Sequence, residues 1–171
     1  MPGLLPPTRV SQRVATVLMT EESIYGLILV SGMIVVSNSL VGTSANALTT
    51  VLVTVVVFFL AHVYAGTLAR LAATDGRGDL RSSVRVAALH SQGLLLVALL
   101  PLAVLTLGVV GLIDDETSIW TALVVDVVLL GVLGWIVVAR WNTNVWARIG
   151  SALVTAAFGV VVMALKVLIH G

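Results

Sequence analysis

Hydrophobic residues in this chain of 171 residues run in five long stretches that short polar segments separate. A helix needs about 20 mostly apolar residues to cross a bilayer, whereas strands of a membrane barrel alternate apolar and polar residues over about ten positions. The stretches here do not alternate, so the pattern predicts five transmembrane helices. The predicted spans are residues 24–41, 47–71, 87–113, 117–139 and 146–169.

The predicted fold class is therefore all-α, an integral membrane bundle that forms a single domain over residues 23–171. Residues 1–22 are expected to be an interfacial helix or a flexible segment. Pro101 lies inside the third span and is expected to kink it. Asp79 is a candidate cap for the helix that continues into the third span, and Asp115 or Thr117 for the fourth.

The composition narrows the class of protein further. Hydrophobic residues make up 59% of the chain and charged residues 10%, whereas a soluble domain has about 25% charged residues. This excludes a soluble enzyme and a nucleic-acid-binding protein. The sequence contains no cysteine and no enzyme signature motif. We therefore expect no enzyme activity, catalytic residue, metal or cofactor.

Basic residues predict how the chain is oriented. Eight of the nine basic residues fall before the first span or in and beside the loops that follow the second and fourth spans. The loop at residues 114–116 is acidic. Basic loops stay in the cytoplasm, so we expect a multi-pass protein of the cell membrane with its amino terminus inside and its carboxyl terminus outside. Four arginines between the second and third spans are expected to contact lipid headgroups: Arg70, Arg77, Arg81 and Arg85.

The first and fourth spans open with similar sequences. Residues 21–25 resemble residues 116–120 at an offset of 95 residues, and the same offset aligns Ser31 with Asp126. The second and fifth spans also share a short motif. Because the two helix pairs start on opposite sides, this similarity suggests a weak inverted repeat, an arrangement that transporters use to build a site at the midplane.

Ionisable residues inside a span are costly and indicate function. Asp126 lies deep in the fourth span, and Lys166, the only lysine, lies near the outer end of the fifth. We expect these two side chains to form an ion pair; alternatively, Lys166 reaches the outer headgroups and Asp126 stays neutral. Small and polar residues precede Lys166 on its face of the helix, so this face is expected to pack against protein.

His62 in the second span and His90 in the third allow three interpretations. They could serve as a proton relay, as axial ligands of a b-type haem, or simply as hydrogen-bond donors. For His62 a threonine, Tyr25 or Tyr64 is the expected partner. The unequal depths of the two histidines count against a shared haem.

Two further residues complete a predicted pathway for ions or protons. Asn38 lies near the outer end of the first span, and Glu22 lies at its inner end. Together with residues already named, they would cross most of the membrane if they faced one interior. The predicted pathway consists of Asn38, Asp126, Lys166, His62 and Glu22.

Three short segments, residues 22–26, 61–65 and 164–170, resemble a group of small actinobacterial polytopic membrane proteins that have no established activity. The resemblance covers essentially all five predicted spans. It implies that His62 and Lys166 belong to recognisable motifs, and it implies no substrate.

Two functions remain open. The first is an ion or proton channel or transporter that acts as a homo-oligomer, because five helices enclose little volume. The second is a non-conducting structural or accessory subunit whose polar groups only determine helix packing. In either case the expected partners are the lipid bilayer and further copies of the chain, and no nucleic acid.

Overall fold

The computed structural model describes residues 21–40, 42–74 and 78–170, apart from the side chains of residues 38–40, 169 and 170. All regular structure in these ranges is helical. Most of the predicted amino-terminal segment 1–22 lies outside the described residues. The helices are α1 (Glu21–Leu40), α2 (Ser44–Ala73), α3 (Leu80–His90), α4 (Gln92–Val109), α5 (Asp115–Ala139) and α6 (Val145–His170).

Four helical segments are long and apolar enough to cross a membrane. These are α2, the run Leu80–Val109 that joins α3 to α4, α5, and α6 over Val145–Leu168. The all-helical membrane class is thus confirmed for four of the five predicted spans. The first predicted span corresponds to α1, and its crossing stays a prediction.

The third span differs from its predicted form. Asp79 caps α3 as expected, because its carboxylate accepts the backbone N–H of Ser82 at 2.9 Å. The helix therefore starts seven residues before the predicted span. Its interruption falls at Ser91, between α3 and α4, whereas Pro101 is buried inside α4. The helix ends at Val109, before the predicted end at residue 113. Gly111 follows with a φ of 73°, a left-handed conformation that favours glycine and does not continue a right-handed helix.

The cap of α5 corrects a second expectation. Asp114, rather than Asp115 or Thr117, is the N-cap residue, and its side chain accepts the backbone N–H of Thr117 at 2.8 Å. Asp115 instead accepts the backbone N–H of Ser44 at 2.9 Å. It thereby joins the start of α5 to the start of α2, a contact between distant segments that no local pattern indicates.

The helices pack around α1, α4 and α5, which supply most of the buried side chains. α1 packs against α2, α4, α5 and α6, and α5 packs against α4 and α6. α2 and α6 lie at the periphery and expose mainly apolar residues, as expected where lipid surrounds a bundle. The fully buried large side chains include Leu27, Ile34, Leu94, Leu105, Ile119, Leu123 and Leu130.

Charged residues divide between the two ends of the bundle. At one end, here called the acidic end, Asp114, Asp115 and Glu116 begin α5, and Ser44 and Gly108 lie beside them. The opposite, basic end holds the described arginines that flank the α2–α3 and α5–α6 connections, with Glu22 at the start of α1. Each span therefore runs from one chemically distinct surface to the other.

Candidate functional site

Asp126 is fully buried about halfway along α5, where α5 crosses α1. The hydroxyl of Ser31 on α1 donates a hydrogen bond to its Oδ2. The other carboxyl oxygen, Oδ1, has no hydrogen-bond partner among the described residues. One side of this carboxyl group is thus satisfied and the other is not.

Apolar side chains enclose this pair. Asp126 follows Ala122 and Leu123 on α5 and precedes Leu130 by one turn, and all three are fully buried. Ser31 follows Val30, which belongs to the same buried cluster as Ala122 and Leu123. The Ser31–Asp126 pair is therefore a polar contact in an apolar interior, where an unpaired charge is costly.

Lys166 does not pair with Asp126. Its side chain is buried, and its ammonium lies 4.0 Å from the centroid of the Trp120 ring. Glu116, one turn before Trp120, also acts on it electrostatically. Trp120 precedes Asp126 by six residues, about 9 Å of helical rise, so these contacts hold the ammonium towards the acidic end. The predicted ion pair is wrong for this reason, whereas the predicted inward orientation of Lys166 is confirmed.

His62 is half-buried on α2, and its hydrogen bond and its ring contact are both with a residue of that helix. Its Nδ1 donates to the carbonyl oxygen of Phe58, one turn earlier, at 3.0 Å. Its ring lies 4.3 Å from the ring of Phe58, with 55° between the planes. The expected threonine or tyrosine partner is therefore wrong. This tautomer leaves Nε2 as the nitrogen that can accept a proton.

The side chains of Glu22 and His90 contact each other between the start of α1 and the end of α3. Oε1 of Glu22 lies 3.1 Å from Nε2 of His90; the glutamate side chain is 8% exposed and the histidine side chain 64% exposed. Oε2 of Glu22 has no hydrogen-bond partner in the described part of the chain. The pair sits beside the interruption at Ser91. His90 contacts Glu22, and His62 is hydrogen-bonded to Phe58, so the two histidines do not share one partner.

The remaining predicted site residues are only partly described. The side chain of Asn38 and all of Arg77 lie outside the described residues. Arg70, Arg81 and Arg85 are exposed at the basic end, where the predicted headgroup contact would occur. Arg70 also lines a pocket of about 310 Å³ between α2 and α3, together with Thr74, Gly78, Asp79 and Ser82.

The small residues of α6 pack against α5, as their spacing predicts. The Ser151 hydroxyl donates to the carbonyl oxygen of Gly134 at 2.9 Å, and the Thr155 hydroxyl donates to that of Ser151 at 2.8 Å. A Cβ atom on Gly134 would lie 2.5 Å from Oγ1 of Thr155, and one on Gly159 would lie 2.8 Å from Val127. We call this contact the α5–α6 seam.

The sequence thus identified the chemistry of the polar residues better than their partners. It aligned Ser31 with Asp126 through the offset of 95 residues, and these side chains do meet. It missed the contact of Trp120 with Lys166. It also missed the pairing of Glu22 with His90, because the rotation of each helix about its axis is not encoded locally.

Comparison of the chain with protein-family models, with curated proteins and with solved structures finds no match. The function is therefore inferred from the side chains described above.

Proposed function

We propose that this protein is a small multi-pass protein of the cell membrane that translocates a proton or another small cation, and that Asp126 is its cation-binding group. The observation that carries the proposal is the fully buried Asp126 carboxyl group, bonded to Ser31 at one oxygen and to no described residue at the other. A group that served only to hold helices together would gain more from complete hydrogen bonding. A lone acid within a span instead indicates a site on an ion pathway.

In this proposal α1 is the fifth span. Its 20 residues are mostly apolar after the first turn, and about 20 suffice for a crossing. The described arginines at the basic end favour a cytoplasmic basic end, with the amino terminus inside and the carboxyl terminus outside.

An inverted repeat belongs to the same proposal. Ser31 and Asp126 occupy equivalent positions at the offset of 95 residues, and their side chains touch. An inverted repeat is related by a pseudo-two-fold axis, and equivalent positions contact each other only close to that axis. In such a repeat the axis would therefore pass near the Ser31–Asp126 pair. The packing supports the repeat only in part, because α2 packs against α4 much more extensively than α6 does.

The other predicted pathway residues would act near the two surfaces. Lys166 and Trp120 lie towards the acidic end, and the Glu22–His90 pair lies at the basic end. His62 lies on the peripheral helix α2, and its Nε2 is the ring nitrogen that the Phe58 carbonyl does not engage. Because the described groups form no continuous chain of hydrogen bonds through one bundle, we propose that a homo-oligomer completes the pathway.

Ion flux into proteoliposomes tests this function. The purified protein should carry protons or a small metal cation above the rate in empty liposomes under an imposed membrane potential. Asp126→Asn keeps the shape of the side chain and removes its charge, so it should lower the rate by at least about tenfold. Asp79→Asn makes the same chemical change at an exposed helix cap, where asparagine caps equally well, and should leave the rate unchanged.

Flux that equals the empty-liposome rate, or a wild-type rate in Asp126→Asn, would contradict this function. Folding of each variant is checked by its elution as a single species in detergent and by its helical circular dichroism.

The α5–α6 seam favours a second candidate, a non-conducting accessory subunit. The Ser151 and Thr155 hydroxyls are hydrogen-bonded to backbone carbonyls, as expected of groups that only determine packing. Mild crosslinking in membranes followed by purification tests this candidate. Recovery of a defined second protein, from cells whose purified protein conducts nothing, would favour the accessory role over conduction.

A further inference from the structure

We infer that the cation bound at the Ser31–Asp126 pair is a proton, carried on Oδ1 of Asp126, and not a metal ion. This inference rests on the proposed function and names its substrate. The two helices present three side-chain oxygen atoms at this point, two from the carboxyl group and one from Ser31.

Three oxygen atoms are too few for a metal ion. Hard cations such as Ca²⁺ and Mg²⁺ take about six or more oxygen ligands in proteins. The neighbouring side chains on α1 and α5, such as Val30, Ala122, Leu123 and Leu130, are fully buried and carry no oxygen. Backbone carbonyls in the interior of these helices are already used by helical hydrogen bonds. A proton needs no coordination shell.

Fixed charges do not neutralise Asp126 within the described residues. Lys166 is the described cation of α6 that lies in the half of the bundle towards the acidic end. Its ammonium is held over the Trp120 ring and interacts electrostatically with Glu116. α4 carries no titratable side chain. The other titratable side chains on the packed helices lie near helix ends or on the periphery of the bundle: Glu21, Glu22 and Tyr25 on α1, His62, Tyr64 and Arg70 on α2, Asp115 and Glu116 on α5, and Arg148 on α6.

The two carboxyl oxygens have different roles. Oδ2 accepts the Ser31 hydroxyl hydrogen, whereas Oδ1 has no hydrogen-bond partner in the part of the chain that the structure describes. Proton uptake transfers H⁺ from a hydronium ion to Oδ1, which forms one O–H bond and leaves one water molecule. Ser31 keeps its own proton and holds the carboxyl group in place. Release reverses this step, and no other reactant is needed.

Infrared difference spectroscopy of the protein in lipid nanodiscs, titrated with acid and base, tests the inference. The wild type should show a protonated carboxyl C=O band that is absent from Asp126→Asn and present in Asp79→Asn. Ser31→Ala should keep the band and move it to higher frequency, because the C=O group loses its hydrogen bond. NaCl, KCl or CaCl₂ added at constant pH should leave the band unchanged.

Two results would overturn the inference. One is the absence of an Asp126-dependent band at every pH at which the protein remains folded. The other is loss of the band when a metal salt is added at constant pH. If Asp126→Asn fails to fold, the frequency shift in Ser31→Ala still decides, since a band insensitive to Ser31 does not arise from this pair.

The flux assay separates this inference from the proposed function. An Asp126-dependent band without any flux would support proton binding and contradict translocation. Asp126-dependent flux of Na⁺ or K⁺, without flux of protons and without the band, would support translocation and overturn the inference.

Discussion

The α5–α6 seam and the crossing of α1 with α5 both place polar atoms between apolar helices, but the hydrogen bonding of these atoms differs. In the seam, the hydroxyls of Ser151 and Thr155 donate to backbone carbonyls, and glycine allows the two backbones to approach closely. At the crossing, Asp126 meets a single hydroxyl and keeps one oxygen without a described partner.

This difference separates a structural role from a chemical one. Hydroxyl groups that donate their one hydrogen to a backbone carbonyl add stability to the packing, and they carry no group that changes its charge near neutral pH. A carboxyl group with an open oxygen adds a group that can change its charge. Substitutions in the seam should therefore alter stability and leave flux intact, whereas substitutions at the crossing should alter flux first.

The largest stability effect should come from Gly134→Ala. The new Cβ would lie 2.5 Å from Oγ1 of Thr155 and 2.8 Å from the Ser151 carbonyl oxygen, a backbone atom that cannot move away easily. Overpacking of this kind should lower the free energy of unfolding by about 2 kcal/mol, even though alanine is the better helix former. Unfolding by SDS in mixed micelles measures it.

Gly131→Ala is the matched control for this substitution. Its Cβ would lie 3.6 Å from the nearest atom of Ala156, an ordinary contact. The variant should be as stable as the wild type or more stable by up to about 1 kcal/mol. Equal stability of the two alanine variants would show that the seam is not closely packed.

A smaller effect should appear in a double-mutant cycle across the crossing. Ser31→Ala combined with Asp126→Ala should show a coupling free energy of about 1 kcal/mol in the same unfolding assay, because the two side chains share a hydrogen bond. Ser151→Ala combined with Asp126→Ala should be additive within about 0.5 kcal/mol, because Ser151 bonds to Gly134 instead. Equal coupling in the two cycles would contradict the separation of the two regions.

The smallest effect concerns Asp114, a carboxylate outside the spans that contrasts with Asp126. The backbone N–H of Thr117, and then its hydroxyl, lower the pKa of Asp114 below its ordinary value of 3.8. Its capping contribution is therefore complete above the ordinary value and is lost as the pH falls through the lowered pKa.

The chemical shift of the Thr117 amide proton measures this loss. It is followed by NMR in micelles as the pH is lowered from about 6 to well below the ordinary pKa of an aspartate. In the wild type its shift should change with a midpoint below 3.8. Asp114→Asn caps the helix without titrating and should abolish the change. A midpoint at or above 3.8 would mean that Asp114 does not cap α5 in solution.

The membrane class and most of the helices were predictable, because insertion into a bilayer depends on the summed hydropathy of a continuous segment. The small-residue face of α6 was also predictable, since the spacing of Ser151, Thr155 and Gly159 determines which side chains share a face. The caps were predicted only in part: Asp79 was correct, whereas Asp114 lies one residue before Asp115, the nearer of the two predicted candidates. Several neighbouring acidic residues could each cap the helix, and the backbone geometry at its first residue determines which of them does.

The partners of the charged residues could not be predicted. Depth along a helix placed Lys166 within reach of Asp126, but a contact also depends on how each helix is rotated. Trp120, three residues after the predicted start of its span, holds the lysine ammonium over its ring. Glu22 at the start of α1 contacts His90 at the end of α3, a partner that depth along the helices does not predict.

The sequence alone therefore determined that this protein is helical and membrane-spanning, and which few residues are expensive to bury, since both properties are sums over local side chains. Only the tertiary structure decided that Ser31 reaches one oxygen of Asp126 and that Lys166 turns to an aromatic ring. Such pairings depend on the crossing and rotation of helices far apart in the chain, which are set by packing all of them at once.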